Sequence, residues 1–247
     1  MNTQTPRILL IQMNKDAALL EREFQGFSRH ADIPEECISI LNLAYPEAFH
    51  PDILDDYQAL FIGMLPEDYC AGYLPMEEQL PFLPELGYLI RRAIDLRLPC
   101  FLSSGGFTLA SIVLGGKVAL IPSQIEFGVF PVELTRDARL DPIFSGFSDR
   151  FHVVTVHCKS TIELPHGCVL LASSERCPIQ AFRLLGRPFY AFQFTPEYES
   201  SRLVVHSDAC VEGLSGLGAY ENKPPQEPDL GLVGSLLKRF MEEYVYG

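Results

Sequence analysis

Short apolar runs separated by longer mixed segments dominate the first hundred residues. The runs lie at residues 7–13, 37–43, 57–63 and 100–103. A continuous apolar run of this length is typical of a parallel strand that is covered on both faces. Between the runs, apolar residues at helical spacing predict helices over 16–30 and 80–96. The alternation predicts an α/β fold with a mostly parallel, doubly wound sheet and right-handed crossovers.

The pattern changes after residue 117, where β-type segments follow one another without long helices between them. These segments lie at 118–121, 127–135, 151–157 and 168–173, with a further strand at 189–194. We therefore expect a small antiparallel β layer attached to the main sheet. Residues 221–229 have the composition of a linker, and 230–244 carry the apolar face of a closing helix. We expect one domain over residues 1–247.

Composition narrows the range of partners. The chain has 247 residues, 47% of them hydrophobic, and its 19 basic and 32 acidic residues give a net charge of -13. An acidic chain without a Lys/Arg cluster argues against binding to nucleic acid or to an anionic membrane. No apolar run approaches the roughly 20 residues needed to cross a bilayer, and the N-terminus is unlike a signal peptide. We therefore predict a cytoplasmic protein.

The seven cysteines and six histidines show no metal-binding pattern. No C-x-x-C, H-x-H or H-x-x-x-H spacing is present. The sequence therefore predicts neither a disulfide framework, nor a metal site, nor a cofactor.

Ser104 stands where an apolar strand meets a helix, and Gly105 and Gly106 follow it at once. The two glycines allow a sharp turn that displays the serine side chain at the carboxyl edge of the sheet. The start of the following helix supplies free N–H groups and positive potential there. The loop after the third strand, from Gly63, reaches the same edge if the sheet is parallel. This arrangement is typical of a nucleophile in an α/β enzyme.

These features occur in an order that resembles the class I glutamine amidotransferases, over residues 8–197. The family's turn has the form P-x-x-G-x-C-x-G-x-Q-x-x-A followed by a Gly-Gly pair, and its second signature is Q-F-H-P-E. The second signature appears as QFTPE at 193–197, and EFG at 126–128 and His157 with ELPHG at 163–167 match the family's middle section. The turn is matched here by Pro99, Leu102, Ser104, Gly106, Thr108, Ser111, Gly115 and Gly116.

The resemblance implies hydrolysis of the glutamine side-chain amide through a thioester, with ammonia released to a synthase partner. In the family a Cys attacks, a His transfers the proton, and a carboxylate orients the His. The three positions here are Ser104, Thr195 and Glu197. A threonine hydroxyl cannot accept a proton near neutral pH, and losing one triad member removes on the order of 10^6 in rate. We therefore predict that glutaminase activity is lost.

The resemblance also implies a pocket beside Ser104. Backbone amides at Gly105 and in the loop of Gly63 and Met64 are the predicted oxyanion donors. Thr108 stands where the family has a Gln that contacts substrate, and the bulk of Leu102 is expected to narrow the pocket. Glutamine or a related amide or acid is the expected ligand. Without an imidazole to orient, Glu197 is expected to accept a hydrogen bond from Thr195 or a backbone N–H.

Two alternatives remain open. Ser104 is a working nucleophile in a serine hydrolase or acyl transferase if another histidine serves as base. His206 is the better candidate for that base, and His157 is the second, although a histidine within a predicted strand is more typical of a structural residue. Alternatively, the protein is a regulatory or binding subunit that associates with a synthase partner or forms a homo-oligomer.

Overall fold

A computed structural model of the protein describes residues 5–45, 51–65, 80–198, 220–222 and 230–247. Four α-helices occur in these residues: α1 Ala17–Ala31, α2 Leu83–Asp95, α3 Gly105–Val113 and α4 Gly231–Tyr244. The strands are β1 Ile8–Gln12, β2 Ile38–Asn42, β3 Ala59–Ile62, β4 Cys100–Ser103, β5 Lys117–Leu120, β6 Glu126–Leu134, β7 Arg150–His157, β8 Lys159–Glu163, β9 Cys168–Ser173, β10 Ala181–Leu184, β11 Phe189–Phe192 and β12 Tyr220–Asn222. Within the described residues, no helix has the length and apolar character needed to span a membrane.

Ten strands form one sheet in the order β12-β6-β9-β10-β11-β4-β3-β1-β2, with β7 paired to β6. The half from β2 to β11 is parallel, whereas β10, β9, β6 and β7 pair antiparallel in turn. Strands β5 and β8 form a separate two-stranded antiparallel sheet. The predicted α/β fold with a mostly parallel sheet and a small antiparallel layer is therefore confirmed.

Three details differ from the sequence-based expectation. Most of the antiparallel strands extend the main sheet. Strand β11 pairs with β4, and β10 then pairs with β11 as the other strand of a hairpin, so the antiparallel strands continue the parallel part of the sheet. The pattern also missed β8, β10 and β12. The predicted linker at 221–229 begins too early, since residues 221 and 222 belong to β12, and residues 223–229 lie outside the described residues.

The helices cover the two faces of the sheet. One face packs against α1 and α4 through a cluster of aromatic rings, in which Phe101 lies 4.8 Å from Phe192 and 5.4 Å from Phe240 between ring centroids. The other face packs against α2 and α3 and includes Leu102 and Phe107. Successive residues of β4 point to opposite faces, so Ser103 lies on the α1 side. Leu102 is fully buried in the core on the other side, and the expectation that it narrows a pocket is wrong.

Helix α1 is held at both ends. The Asp16 side chain accepts hydrogen bonds from the backbone of Ala18 and Leu19, at 2.8 and 3.1 Å. The helix ends at Asp32, which adopts a left-handed conformation with φ 56° and donates its backbone N–H to carbonyls of the last turn. These caps satisfy polar groups that a helix terminus leaves exposed. They therefore stabilise both ends of α1.

Helix α3 begins in close contact with the end of β3. The Gly106 N–H donates to the Gly63 carbonyl at 2.8 Å. A Cβ at position 106 would lie 2.5 Å from the Ile62 carbonyl oxygen, and this backbone has no room to yield. Only glycine therefore allows the helix to start this close to the sheet.

We predict that Gly106→Ala lowers the melting temperature by roughly 2–12 °C, because overpacking costs about 1–3 kcal/mol and each kcal/mol shifts a chain of this size by about 2–4 °C. Thermal unfolding followed by circular dichroism measures the shift. Gly87→Ala in α2 is the matched control, since a Cβ there meets the flexible end of Arg91 and alanine favours a helix. Equal melting temperatures for the two variants would contradict the packing argument.

Candidate functional site

The turn at Ser104 has the geometry of a displayed side chain. Ser104 lies between β4 and α3 with φ 49° and ψ -106°, a backbone conformation that L-residues rarely adopt. Its N–H donates to the Phe192 carbonyl at 2.8 Å, and the residue is partly exposed. The predicted strand–turn–helix arrangement is present. Because such strain persists only where the surroundings enforce it, this conformation marks a candidate site.

The structure brings Thr195 and Glu197 to the same edge of the sheet as Ser104. Strand β11 pairs in parallel with β4 in a register that places Phe192 opposite Ser103. Ser104 and the segment that follows β11 therefore leave the sheet side by side. Thr195 and Glu197 are both buried, whereas Ser104 is partly open to solvent.

The side chains of Thr195 and Glu197 form hydrogen bonds with different partners. The Thr195 N–H donates to the Val154 carbonyl at 3.0 Å, and the Thr195 hydroxyl donates to the same oxygen at 3.3 Å. Glu197 Oε1 instead accepts from the Ser103 hydroxyl at 2.7 Å. Of the two donors expected for Glu197, Thr195 is therefore wrong, whereas the backbone N–H of Glu197 itself does interact with the carboxyl group. Glu197 Oε2 is buried and has no hydrogen-bond partner among the described residues.

A second buried carboxyl group, that of Glu23 on α1, lies behind the loop that follows β3. Its Oε1 accepts from the Met64 N–H at 2.6 Å, and its Oε2 accepts from Gln12 Nε2 at 3.0 Å. The carboxylate fills the space beside Gly63, where a Cβ would overlap it. The sequence analysis missed this residue. The sequence does contain a pattern that indicates it. Glu23 lies four residues from both Leu19 and Phe27, so it is on the same buried face of α1 as these apolar residues.

Both carboxyl groups hold protons more tightly than exposed ones. Burial raises the pKa of Glu23 from 4.5 to about 8, and the nearby Glu197 charge raises it further, while the Met64 hydrogen bond opposes the shift. Burial raises the pKa of Glu197 to about 7, opposed by the hydrogen bond from Ser103. Burial is the main cause that raises the pKa of the Tyr198 hydroxyl. The charges of Glu23 and Glu197 raise this pKa further.

The predicted oxyanion donors differ in availability. Gly105 is the first residue of α3, where N–H groups lack acceptors within the helix. The Met64 N–H is already donated to Glu23, and the Gly63 N–H is donated to the Ile11 carbonyl at 3.4 Å. Thr108 lies one helical turn after Ser104, is buried, and donates its N–H to the Ser104 carbonyl at 3.3 Å.

His157, one of the two histidines predicted as a possible base, takes part in a hydrogen-bond network around Glu126. His157 is buried at the end of β7 with its Nε2 3.1 Å from Glu126 Oε2. Glu126 also accepts from Gln180 Nε2 at 2.5 Å and from the Ser174 hydroxyl at 2.8 Å. In the part of the chain that the structure describes, no histidine hydrogen-bonds to the Ser104 hydroxyl. His206 lies outside the described residues. The same part of the chain holds no group of three or more potential metal ligands.

We predict that Ser104→Gly raises the melting temperature by about 2–4 °C. Glycine adopts the observed φ without steric cost, which relieves on the order of 1 kcal/mol of strain. Ser104→Ala keeps the Cβ and is expected to unfold within a degree or so of the original protein. Differential scanning calorimetry of the three proteins makes the comparison. A melting temperature for Ser104→Gly at or below that of Ser104→Ala would contradict the strain argument.

We predict that stability falls as pH rises from 5 to 8.5. The folded-state pKa of Glu23 lies above its unfolded value, so the folded chain binds more protons between pH 4.5 and about 8. Glu23→Gln removes this contribution, and the difference between its melting temperatures at pH 5 and pH 8.5 should be smaller than in the original protein by about 10 °C. Glu21→Gln, on the exposed side of the same helix, is the control. Equal pH dependences for the original protein and Glu23→Gln would refute the prediction.

Comparison with known proteins connects this site to a family. A family model described as glutamine amidotransferase class-I matches residues 83–205. One subunit of the glutamine-hydrolyzing GMP synthase of Thermococcus kodakarensis is 34% identical over 92 residues, which are 37% of this chain and 47% of that protein. The GMP synthase of Shewanella amazonensis is 32% identical over 131 residues, 51% of this chain and 24% of that protein. The matches thus span at most about half the length of these curated relatives.

Solved structures share the fold. A glutamine amidotransferase from Thermotoga maritima superposes with a TM-score of 0.67 at 22% identity, covering 97% of this chain and 100% of that one. A glutamine amido transferase from Methylobacillus flagellatus gives a TM-score of 0.66 at 20% identity, covering 97% and 95%. At such identities the likeness establishes the architecture alone. The family match includes the strand–turn–helix and the QFTPE segment, and it shows that residues 83–205 of this chain are a glutamine amidotransferase class-I domain.

Proposed function

We propose that this protein is a class I glutamine amidotransferase-like protein that does not hydrolyse glutamine and uses the site at Ser104 to bind a small ligand. The main observation behind the proposal is the residue at position 195 and the hydrogen bond that it makes. The residue at the family's histidine position is a threonine, and its hydroxyl donates to the backbone of β7. A group held in this way does not accept a proton from a nucleophile.

The chemistry of the remaining groups supports binding without turnover. A serine hydroxyl becomes an effective nucleophile only when an adjacent base removes its proton. Glu197 is engaged by Ser103, and its pKa of about 7 leaves much of the carboxyl group protonated at neutral pH. The Ser104 hydroxyl and the Gly105 N–H remain as donors for a carbonyl or carboxylate oxygen. Glutamine, or a related amide or acid, fits these donors.

The family context suggests a partner as well. The relatives named above are GMP synthases or a subunit of one, and a synthase subunit is therefore the first partner to test for this chain. In such a complex the protein would act as a regulatory or binding subunit, because no ammonia would be produced at Ser104. A homo-oligomer of this chain is the alternative arrangement that we propose. The single domain over residues 1–247, the absence of a cofactor and the cytoplasmic location stay predictions of the sequence.

A second candidate function is a serine hydrolase or acyl transferase. The partial exposure of Ser104 on a strained turn favours it, since this is how such enzymes present their nucleophile. It requires a base that contacts the Ser104 hydroxyl. Of the two histidines named for that role, His157 is engaged with Glu126, so the hydrolase hypothesis depends on His206.

We expect no glutamate production above the rate of the Ser104→Ala variant when the purified protein is incubated with glutamine. A coupled glutamate dehydrogenase assay measures the product, and a glutaminase-active family member serves as the positive control. Glutamine turnover that disappears in Ser104→Ala would refute the proposal. Labelling of Ser104 in the folded protein by a fluorophosphonate probe, located by peptide mass spectrometry, would favour the hydrolase instead.

A further inference from the structure

The Glu23 side chain connects helix α1 to the loop that follows β3. Its Oε1 accepts from the Met64 N–H at 2.6 Å, and its Oε2 accepts from Gln12 Nε2 at 3.0 Å. Gln12 Nε2 also donates to the Leu20 carbonyl at 2.8 Å. Turning this amide over would place its oxygen against the Leu20 carbonyl, so its orientation is fixed. Both oxygens of Glu23 therefore face donors, which is the arrangement that satisfies an ionised carboxylate.

The loop at residues 63–65 lies directly on the start of α3. A Cβ at Gly105 would overlap the backbone nitrogen of Leu65 and would lie 2.9 Å from the Met64 carbonyl carbon. The first residue of the loop accepts the Gly106 N–H at 2.8 Å. The position of the loop therefore determines the shape of the edge where the strand–turn–helix displays its serine.

Two backbone N–H groups are available where the loop meets the helix. The N–H groups of Leu65 and Gly105 have no acceptor among the described residues, whereas the Met64 N–H is donated to Glu23. A carbonyl or carboxylate oxygen of a ligand at Ser104 accepts from N–H groups of this kind. The loop sets the distance between them, and the hydrogen bond to Glu23 holds the loop.

Protonation of Glu23 weakens this hold. A neutral carboxyl group carries a hydrogen on one oxygen, so one of the two donors around Glu23 would then face another donor. A hydrogen bond to a carboxylate is also roughly twice as strong as one to a neutral acceptor. Burial raises the pKa of Glu23 to about 8, so the change in charge falls close to neutral pH.

The other titratable groups around Glu23 come mainly from the segment after β11. The Glu197 charge raises the pKa of Glu23, and the charges of both carboxylates raise the pKa of the Tyr198 hydroxyl, while the Arg22 charge lowers it. Strand β1 contributes the uncharged Gln12, and the loop contributes a backbone N–H. An experiment on Glu23 must therefore separate its titration from that of Glu197.

We infer that Glu23 is a positioning residue for the site at Ser104: its ionised carboxylate holds the Met64–Leu65 backbone on Gly105, and its protonation weakens ligand binding there. This inference rests on the proposed function, because it describes how binding at the same site is regulated. Affinity for an amide or acid should rise as Glu23 ionises. By linkage, a bound ligand should lower the pKa of Glu23.

A pH titration of backbone amide signals by two-dimensional NMR tests the inference without a ligand, on the full chain labelled with nitrogen-15. In the original protein the signals of Met64, Leu65 and Gly105 should shift together, with a midpoint at about pH 8. Glu23→Gln keeps the shape of the side chain but does not ionise, and should remove this transition. Glu21→Gln, on the exposed side of the same helix, is the matched control and should titrate like the original protein.

Glu197→Gln separates the two carboxyl groups. It should keep the transition and move its midpoint to lower pH, because the charge that raises the pKa of Glu23 is gone. Three results would overturn the inference: no transition at these amides in the original protein, a transition that persists in Glu23→Gln, or one that disappears in Glu197→Gln. Circular dichroism confirms that each variant is folded, and the first result requires no variant.

Isothermal titration calorimetry with glutamine at pH 6.5 and pH 8.5 measures the effect on the site. The original protein should bind more tightly at pH 8.5, and the ratio of its two affinities should exceed that of Glu23→Gln by on the order of fivefold, the lower end of typical coupling between sites. Comparing the two proteins cancels the ionisation of glutamine itself. Equal ratios would overturn the inference. Absence of glutamine binding at both pH values would instead contradict the ligand of the proposed function, and the amide titration would still decide the role of Glu23.

Discussion

The parallel pairing of β4 with β11 is the interaction on which the site depends. It places Phe192 opposite Ser103 and lets the Ser104 N–H donate to the Phe192 carbonyl. One strand then turns into α3, and the other continues through Thr195 to Glu197. Residues about ninety positions apart in the chain therefore leave the same edge of the sheet together. The aromatic core beneath, where Phe101 packs on Phe192, stabilises the same pair of strands.

The fold maintains several unfavourable local features at this edge. Ser104 keeps a strained backbone, Glu23 and Glu197 are buried acids with raised pKa values, and one carboxylate oxygen lacks a described partner. The glycines at 105 and 106 permit backbone contacts that a Cβ would prevent, and Gly63 leaves space for the Glu23 carboxylate. Costs of this kind concentrated at one edge are typical of a functional site. They support a role in binding even though the residues at the nucleophile and base positions are alcohols.

The helices, the order of the motifs and nine of the twelve described strands followed from the residues alone. Continuous apolar runs identified the parallel strands because both faces of such strands are buried, and Ser104 with its two glycines identified the turn. Strands β8 and β10 were missed for a physical reason. Lys159, Ser160 and Thr161 of β8 are buried polar residues, which hydrophobic periodicity does not detect, and β10 depends on its hairpin with β11.

The sequence by itself determined the fold class, the turn at Ser104 and the identity of the residues at the three family positions, because these depend on local pattern and spacing. Tertiary structure alone decided which groups those residues contact. Glu197 accepts from Ser103 rather than Thr195, and Glu23 takes the Met64 amide. Hydrogen bonds between distant segments depend on side-chain direction and packing between α1 and the sheet. Neither is encoded in the spacing of a motif.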